Sequence, residues 1–234
     1  MAEMEFKNIL FTRTISEKQR QFGESLGLLI HAIPFIEIEL LNPSQDQIKK
    51  INYHADSDWI FTSQNAVKSI SPVLSQLHEN LERKYYAVGE KTAQELKDIG
   101  LQPLIPNQHN VIALVELLKK ASAKSYIYYT GNLRRNTITN YFTDQEIAYQ
   151  EILCYQTKLI QPEIEIKSFD AICFCSPSAV ISFFRKYNPD KSVPCIAIGN
   201  TTALKLLEYT EFVVLAEQTN IFAMLEMCHD YLKS

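Results

Sequence analysis

Three short motifs occur twice along this chain, in the same order. Each copy is an apolar run or a helix start that carries polar turn residues. The pairs are Asp58–Val67 with Asp170–Val180, Ala87–Ala93 with Ala197–Ala203, and Asn107–Leu114 with Glu217–Met224. The second and third pairs share an offset of 110 residues, which is the size of a small domain and too long for a solenoid repeat. The repeat predicts two similar domains, with a cleft between them where their matching turns face each other.

The composition fits two small globular domains. The 234 residues are 46% hydrophobic and 21% charged, and each half is long enough to bury its own core. The net charge of −4 and the lack of a basic stripe argue against a nucleic-acid partner. The N-terminus has no long apolar run after a basic patch, and no uncharged apolar stretch is long enough to span a bilayer. We therefore expect a cytoplasmic protein with no membrane partner.

The cysteines and histidines give no metal or disulfide signature. The five cysteines form no CxxC pair, and an odd number of them fits a reducing cytoplasm. Buried reduced thiols are the expected outcome. The five histidines lack the spacing of metal ligands, so no metal site is predicted.

Short apolar runs alternate with helical patterns along the whole chain. The predicted strands, each rich in Ile, Val, Phe or Tyr and ended by a turn signal, are Asn8–Thr12, Trp59–Thr62, Tyr85–Val88, Gln102–Ile105, Tyr126–Thr130, Ala171–Cys175, Cys195–Ile198 and Phe212–Leu215. Helical spacing of apolar residues predicts three helices: one through Phe22, Leu26 and Leu29, one through Val111, Leu114, Val115 and Leu118, and one through Ile221, Met224, Leu225 and Cys228. This alternation is typical of parallel sheets that are covered on both faces.

Two similar strands lie outside the repeated blocks and determine the predicted domain arrangement. Ile9–Arg13 precedes the first block, and Tyr126–Gly131 follows it. The simplest assembly gives the first strand to the C-terminal half and the second strand to the N-terminal half. The chain then crosses twice between the domains, at about residues 33–41 and 146–159, where both stretches read as extended.

The predicted fold class is therefore α/β, with two similar domains that are each a parallel sheet flanked by helices. A two-stranded β linker joins them. Residues 1–35 and 159–234 form a discontinuous domain, and residues 40–150 form a domain inserted into it.

Polar turns follow six of the predicted strands, and each of them precedes a helix. In open parallel sheets, ligands bind beyond the carboxyl ends of the strands, and free N–H groups at helix starts suit carboxylates or phosphates. A Ser, Thr or Asn in any single turn of this kind is more often a helix cap than a ligand contact. Six such turns, four of them duplicated between the halves, favour a site for an anionic ligand.

Familiar catalytic motifs are missing from the sequence. It contains no GxGxxG, GxxxxGK[ST], GxSxG or HExxH, and it has only six glycines. If the protein is an enzyme, it works by positioning and hydrogen bonding, without a metal, a cofactor or an obvious nucleophile.

Taken together, the motifs resemble those of the uroporphyrinogen-III synthase family. The matching stretches, in order, are Ile9–Arg13, Phe61–Val67, Val88–Ala93, Gly131–Arg134, Tyr155-Gln156-Thr157, Phe174–Ser178 and Ile198–Ala203. The resemblance implies two α/β domains joined by a β-ladder. It also implies cyclisation of the linear tetrapyrrole hydroxymethylbilane to uroporphyrinogen III, with inversion of ring D, loss of water and no cofactor. A monomer, with transient contacts to other enzymes of the tetrapyrrole pathway, is expected.

The resemblance assigns roles to the strand-end residues. Tyr155 matches the family's tyrosine in the Tyr-Gln-Thr motif, which assists departure of the hydroxyl group; packing at the linker is the competing interpretation. The predicted substrate-binding residues are Thr12, Arg13, Thr62, Ser63, Asn65, Gly89, Thr92, Gly131, Asn132, Ser176, Ser178, Gly199, Thr201 and Thr202. Local positive charge is expected from Arg13, Lys91, Arg134 and Arg135, although Lys91 and Arg135 are equally well explained as solvated surface charges.

Two alternatives stay open at the level of sequence. One is a non-catalytic, two-lobed cytoplasmic protein that binds an anionic small molecule. The other is a signalling module of the response-regulator type, which would need clustered acidic residues at its strand ends. The strand ends here carry hydroxyl groups instead.

Overall fold

The computed structural model describes residues 6–80 and 82–233. Its contacts divide the chain into two units. The discontinuous unit comprises the chain up to Glu37 and from Lys158 onward, and the continuous unit comprises Ile38–Thr157.

Eleven strands and nine α-helices are found in the described residues. In chain order they are β1 (Lys7–Phe11), α1 (Glu17–Ser25), β2 (Leu28–Ala32), β3 (Ile36–Leu40), α2 (Gln45–Tyr53), β4 (Asp58–Phe61), α3 (Gln64–Ile70), β5 (Tyr85–Ala87), α4 (Glu90–Asp98), β6 (Pro103–Leu104), α5 (Val111–Lys119), β7 (Ser125–Gly131), α6 (Thr137–Asp144), β8 (Ala148–Leu159), β9 (Ala171–Phe174), α7 (Pro177–Phe184), β10 (Cys195–Ala197), α8 (Asn200–Leu206), β11 (Val213–Leu215) and α9 (Ile221–Lys233). Short 3₁₀ helices cover Ser71–Gln76 and Ile166–Ser168.

Each unit is built around its own sheet. The discontinuous unit has the strand order β11-β10-β9-β1-β2, and its strands pair in parallel. The continuous unit has the order β3-β8-β7-β4-β5-β6, in which the strands from β8 to β6 pair in parallel. Each sheet has a buried apolar cluster on either face, as expected for parallel strands covered by helices on both sides.

The predicted fold class is confirmed. All eight predicted strands are present, and β3 and β8 are neighbouring strands where the chain passes between the units. The shortest strand is β6, at the sheet edge, where Pro103 has no N–H to donate. In the described residues, no helix combines the length and the apolar composition needed to cross a membrane.

The predicted helix through Phe22, Leu26 and Leu29 was partly wrong. Helix α1 ends at Ser25, and Gly27 adopts a left-handed φ of 76°, which breaks the helix. Leu29 then lies in β2, a strand that was not predicted. The short apolar run Leu28–Ile30 continues the helical spacing of the preceding residues, so its pattern did not reveal a change of structure.

Matching hydrogen bonds occur at the two copies of the third repeated motif. Asn110 accepts a hydrogen bond from the backbone N–H of Ala113, and Asn220 accepts one from Ala223, both at 2.9 Å. The backbone N–H of each asparagine also donates, at 2.8 Å, to the carbonyl of the glutamine two residues earlier. These asparagines therefore act as N-caps of α5 and α9, and the sequence repeat is also a structural repeat.

The cysteines are free, and four of the five, Cys154, Cys173, Cys195 and Cys228, are buried. Burial raises the pKa of Cys154 and of Cys195 to about 12, which keeps these thiols protonated and unreactive at neutral pH. We predict that the native protein reacts slowly with a thiol reagent such as DTNB, and that all five thiols react after unfolding. Rapid labelling of several native thiols would contradict this placement.

Candidate functional site

The carboxyl ends of the parallel strands bring the predicted residues of the continuous unit to one edge of its sheet. Strand β4 lies between β7 and β5, so the turns that follow these three strands are neighbours. Stacking of Phe61 on Tyr129, with ring centroids 4.6 Å apart, fixes the ends of β4 and β7 relative to each other. Thr62 and Thr130, which directly follow these two residues, are thereby held side by side.

Tyr155 lies on β8 directly opposite Gly131, its partner on β7. A Cβ atom added to Gly131 would be 2.4 Å from the ring carbons Cε2 and Cζ of Tyr155. Cβ atoms essentially never come so close to another heavy atom, so a larger residue here would force the ring or the strand to shift. Gly131 is therefore required because the tyrosine ring packs directly over its backbone.

The phenol of Tyr155 is partly buried beside polar groups. Burial raises its pKa, a hydrogen bond with the Ser63 side chain opposes that shift, and Tyr128 and Cys154 raise the pKa further. The phenol thus stays neutral at physiological pH and can donate a hydrogen bond. Tyr128 also contacts the predicted site, because its hydroxyl lies 3.2 Å from the Thr62 hydroxyl.

Ser63 has two roles at the end of β4. Its hydroxyl accepts a hydrogen bond from the backbone N–H of Asn65 at 3.2 Å, so it caps α3. It also lies near enough to the Tyr155 phenol to lower the pKa of that group. The cap predicted at this turn is present, and it contacts the proposed catalytic residue as well.

Asn132 uses its side chain within the protein. Its Oδ1 accepts from the backbone N–H of Thr157 at 2.8 Å, and its Nδ2 donates to the Thr157 carbonyl at 3.3 Å. The backbone N–H of Asn132 donates to the Tyr155 carbonyl at 3.3 Å. Gly131, at the end of β7, and Asn132, which follows it, thus both contact the Tyr155–Thr157 segment.

The repeated glycines differ in what surrounds them. Gly89 and Gly199 precede α4 and α8 with extended backbones, and neither helix start has a side-chain cap. A Cβ at Gly89 would be 2.9 Å from Cβ of His109, whereas the nearest atom to a Cβ at Gly199 would be 3.7 Å away. Packing therefore requires the glycine at position 89 and not at position 199. Thr92 and Thr202 are both buried, at equivalent positions, and Thr201 is exposed.

The discontinuous unit presents its own group of polar residues after β1 and β9. The hydroxyl of Thr12 donates to the Cys173 carbonyl at 2.9 Å, so this buried side chain ties β1 to β9. Arg13 is exposed and donates to the Thr14 carbonyl at 3.1 Å. Ser176 caps α7 through the backbone N–H of Ala179, and its hydroxyl lies 3.1 Å from that of Ser178.

One predicted positive charge is already paired. Arg134 forms two hydrogen bonds with Glu151, at 2.8 and 2.7 Å, and a third with Asn136 at 2.5 Å. The bonds to Glu151 raise the pKa of the guanidinium group. Because its charge is balanced, Arg134 is a weaker candidate for substrate binding than Arg13.

Sequence reasoning did not find Tyr128, Glu151 or His109 as neighbours of the site. Tyr128 and Glu151 are partners in the register of β7 and β8, and the spacing of residues along the chain carries no signal of that register. His109 belongs to a repeated motif, but its proximity to Gly89 depends on the pairing of β5 with β6, which places the turns after these two strands side by side.

The comparisons with known proteins agree with one another. The family model described as uroporphyrinogen-III synthase HemD matches residues 16–226 of this chain. A solved structure of uroporphyrinogen-III synthetase from Helicobacter pylori 26695 is 20% identical, with coverage of 97% of this chain and 100% of that chain and a TM-score of 0.68. A mutant uroporphyrinogen III synthase from the extremely thermophilic bacterium Thermus thermophilus is 19% identical, with coverage of 97% and 99% and a TM-score of 0.73.

At these identities the solved structures establish the shared fold, and no curated protein sequence gives a significant match. The family model covers most of the chain, and its match includes most of the strand-end turns described above. The chain therefore belongs to the uroporphyrinogen-III synthase family.

Proposed function

We propose that this protein cyclises hydroxymethylbilane to uroporphyrinogen III, with inversion of ring D and loss of water. The observation that carries the proposal is the match of the uroporphyrinogen-III synthase model to residues 16–226. The substrate cyclises spontaneously to the uninverted isomer. The enzyme must therefore hold the two ends of the substrate so that ring closure proceeds through a spiro intermediate. Orientation of the reacting ends is therefore a large part of its task.

The strand-end residues of each unit are proposed to bind carboxylates of the substrate. Hydroxyl groups, an exposed guanidinium and uncapped helix starts all donate hydrogen bonds to carboxylates. The proposed binding residues are Thr12, Arg13, Thr62, Ser63, Asn65, Gly89, Thr92, Gly131, Ser176, Ser178, Gly199, Thr201 and Thr202. Asn132 is treated separately below because its side chain is engaged with Thr157.

Tyr155 is the proposed proton donor for the leaving group. Its phenol donates a proton to the hydroxyl oxygen of the substrate as the C–O bond breaks, and water departs with the electron pair of that bond. The support for this role is a phenol that burial keeps protonated, on a ring that packs over the backbone of Gly131 near the side chain of Ser63.

The finer assignments follow from the same proposal. The enzyme would be a lyase that uses no cofactor, and it would act in the cytoplasm as a monomer. Transient contacts with other enzymes of the tetrapyrrole pathway would deliver an unstable substrate and remove the product.

A non-catalytic protein that binds an anionic small molecule is the competing function. The two functions differ in turnover, so the purified protein should be mixed with about a hundredfold molar excess of hydroxymethylbilane, a ratio that many turnovers of a typical enzyme consume within minutes. We expect the substrate to be consumed faster than its spontaneous cyclisation, at a rate proportional to protein concentration. Consumption at the spontaneous rate would indicate a binding protein.

A further inference from the structure

Strand β8 departs from regular pairing next to Tyr155. Thr130 pairs with Leu153, whereas the next residue of β7, Gly131, pairs with Tyr155. Cys154 is therefore an extra residue in β8, which is the definition of a β-bulge. Bulges bend a strand locally and change the direction in which its side chains point.

The bulge changes the face on which Tyr155 lies. In a regular strand, successive side chains point to opposite faces of the sheet. Here Cys154 is fully buried in an apolar cluster with Phe61 and Tyr129, and Tyr155, the next residue, packs against that same cluster. The extra residue is what allows two consecutive side chains to contact one core.

Asn132 contacts the chain immediately after the bulge. Its side-chain amide bonds both the N–H and the carbonyl of Thr157, as a neighbouring strand would, and its backbone N–H bonds the carbonyl of Tyr155. These three hydrogen bonds fix the backbone of Tyr155 and of Thr157, the residues on either side of Gln156. They leave little freedom for β8 to return to regular register.

We propose that Asn132 is a positioning residue, which holds the Tyr155–Thr157 segment in its bulged register so that the Tyr155 phenol stays over Gly131 and beside Ser63. This inference rests on the proposed function, because it assumes that Tyr155 acts on the substrate. It assigns Asn132 an effect on the rate of the chemical step that is exerted through Tyr155. A carboxylate-binding residue would act mainly on substrate affinity.

A double-mutant cycle tests this role. The variants are Asn132→Ala, Tyr155→Phe and the combination of both, and Asn140→Ala, an exposed asparagine on α6, is the matched control. In the wild-type background, we expect Asn132→Ala to lower kcat by about 10-fold with little change in KM. In the Tyr155→Phe background, the same substitution should change kcat by less than about 2-fold, because the effects of two coupled residues do not add. Asn140→Ala should match the wild type.

A second variant and a second readout separate positioning from general loss of structure. Asn132→Asp keeps the acceptor for the Thr157 N–H and loses the donor to its carbonyl, so its kcat should lie between those of the wild type and Asn132→Ala. This variant carries the test if Asn132→Ala does not fold. Absorbance titration, with Tyr155→Phe as the reference, should show the raised pKa of the Tyr155 phenol returning towards its ordinary value in Asn132→Ala.

Two results would overturn the inference while leaving the proposed function in place. One is that Asn132→Ala lowers kcat by the same factor in the wild type and in the Tyr155→Phe variant. The other is an increase in KM with kcat unchanged. If Tyr155→Phe alone kept the full rate, the proposed role of Tyr155 would be wrong, and the positioning role of Asn132 would fall with it.

Discussion

Replacing Tyr155 with phenylalanine is expected to slow formation of uroporphyrinogen III by about 100-fold or more, the range typical for loss of a general acid. The change removes only the hydroxyl group, so the ring still packs over Gly131 and against the apolar cluster that contains Tyr129 and Cys154. The fold should therefore be retained. The measurement is the initial rate of product formation, with thermal unfolding followed by circular dichroism.

The Tyr155→Phe result separates the two roles considered for this residue. If the tyrosine has only a packing role in β8, the variant will keep both its rate and its melting temperature. A normal rate would remove Tyr155 from the mechanism, whereas a slow rate at unchanged stability would place the hydroxyl in the reaction.

Gly131→Ala is expected to have the second large effect. Its new methyl group would be 2.4 Å from the Tyr155 ring, so either the ring or β7 must move. Overpacking of this kind costs typically about 1–3 kcal/mol of stability. Displacement of the ring should also reduce the rate of uroporphyrinogen III formation to about the level of Tyr155→Phe, a loss of about 100-fold.

Gly199→Ala is the stability control for this prediction. It makes the same chemical change at a strand-end glycine, but the nearest atom to its added Cβ is 3.7 Å away, which is an ordinary contact. Its melting temperature should equal that of the wild type, while that of Gly131→Ala falls. If Gly131→Ala were as stable and active as the wild type, the close packing of Tyr155 on Gly131 would be incorrect.

Much of the fold could be predicted from the sequence because the duplicated motifs mark equivalent strands. Both Ile9–Phe11 and Ile127–Tyr129 are buried runs in interior strands of their sheets, next to β9 and β4 respectively. Strand β2 was missed for a local reason: Gly27 can adopt a left-handed φ, but the sequence does not tell whether it does so. Leu28 and Leu29, which follow Gly27, continue the helical spacing, so the pattern gave no sign of a strand.

The site could be predicted only in part. Turns with hydroxyl groups at strand ends predicted that Thr62 and Ser63 lie at one edge of the sheet, because the carboxyl ends of parallel strands meet there. The role of Tyr155 came from the family resemblance. Neither approach could find the contact of Asn132 with Thr157, because it depends on an extra residue in β8 and no sequence pattern marks that bulge.

The isomer that the protein makes from hydroxymethylbilane tests the central claim most directly. After the reaction, the uroporphyrinogens should be oxidised to the porphyrins, and the type I and type III isomers should be separated by chromatography. The family assignment predicts that type III is the main product with the wild-type protein, and that type I, the spontaneous product, dominates without protein. Type I alone, formed in the presence of folded protein, would contradict it.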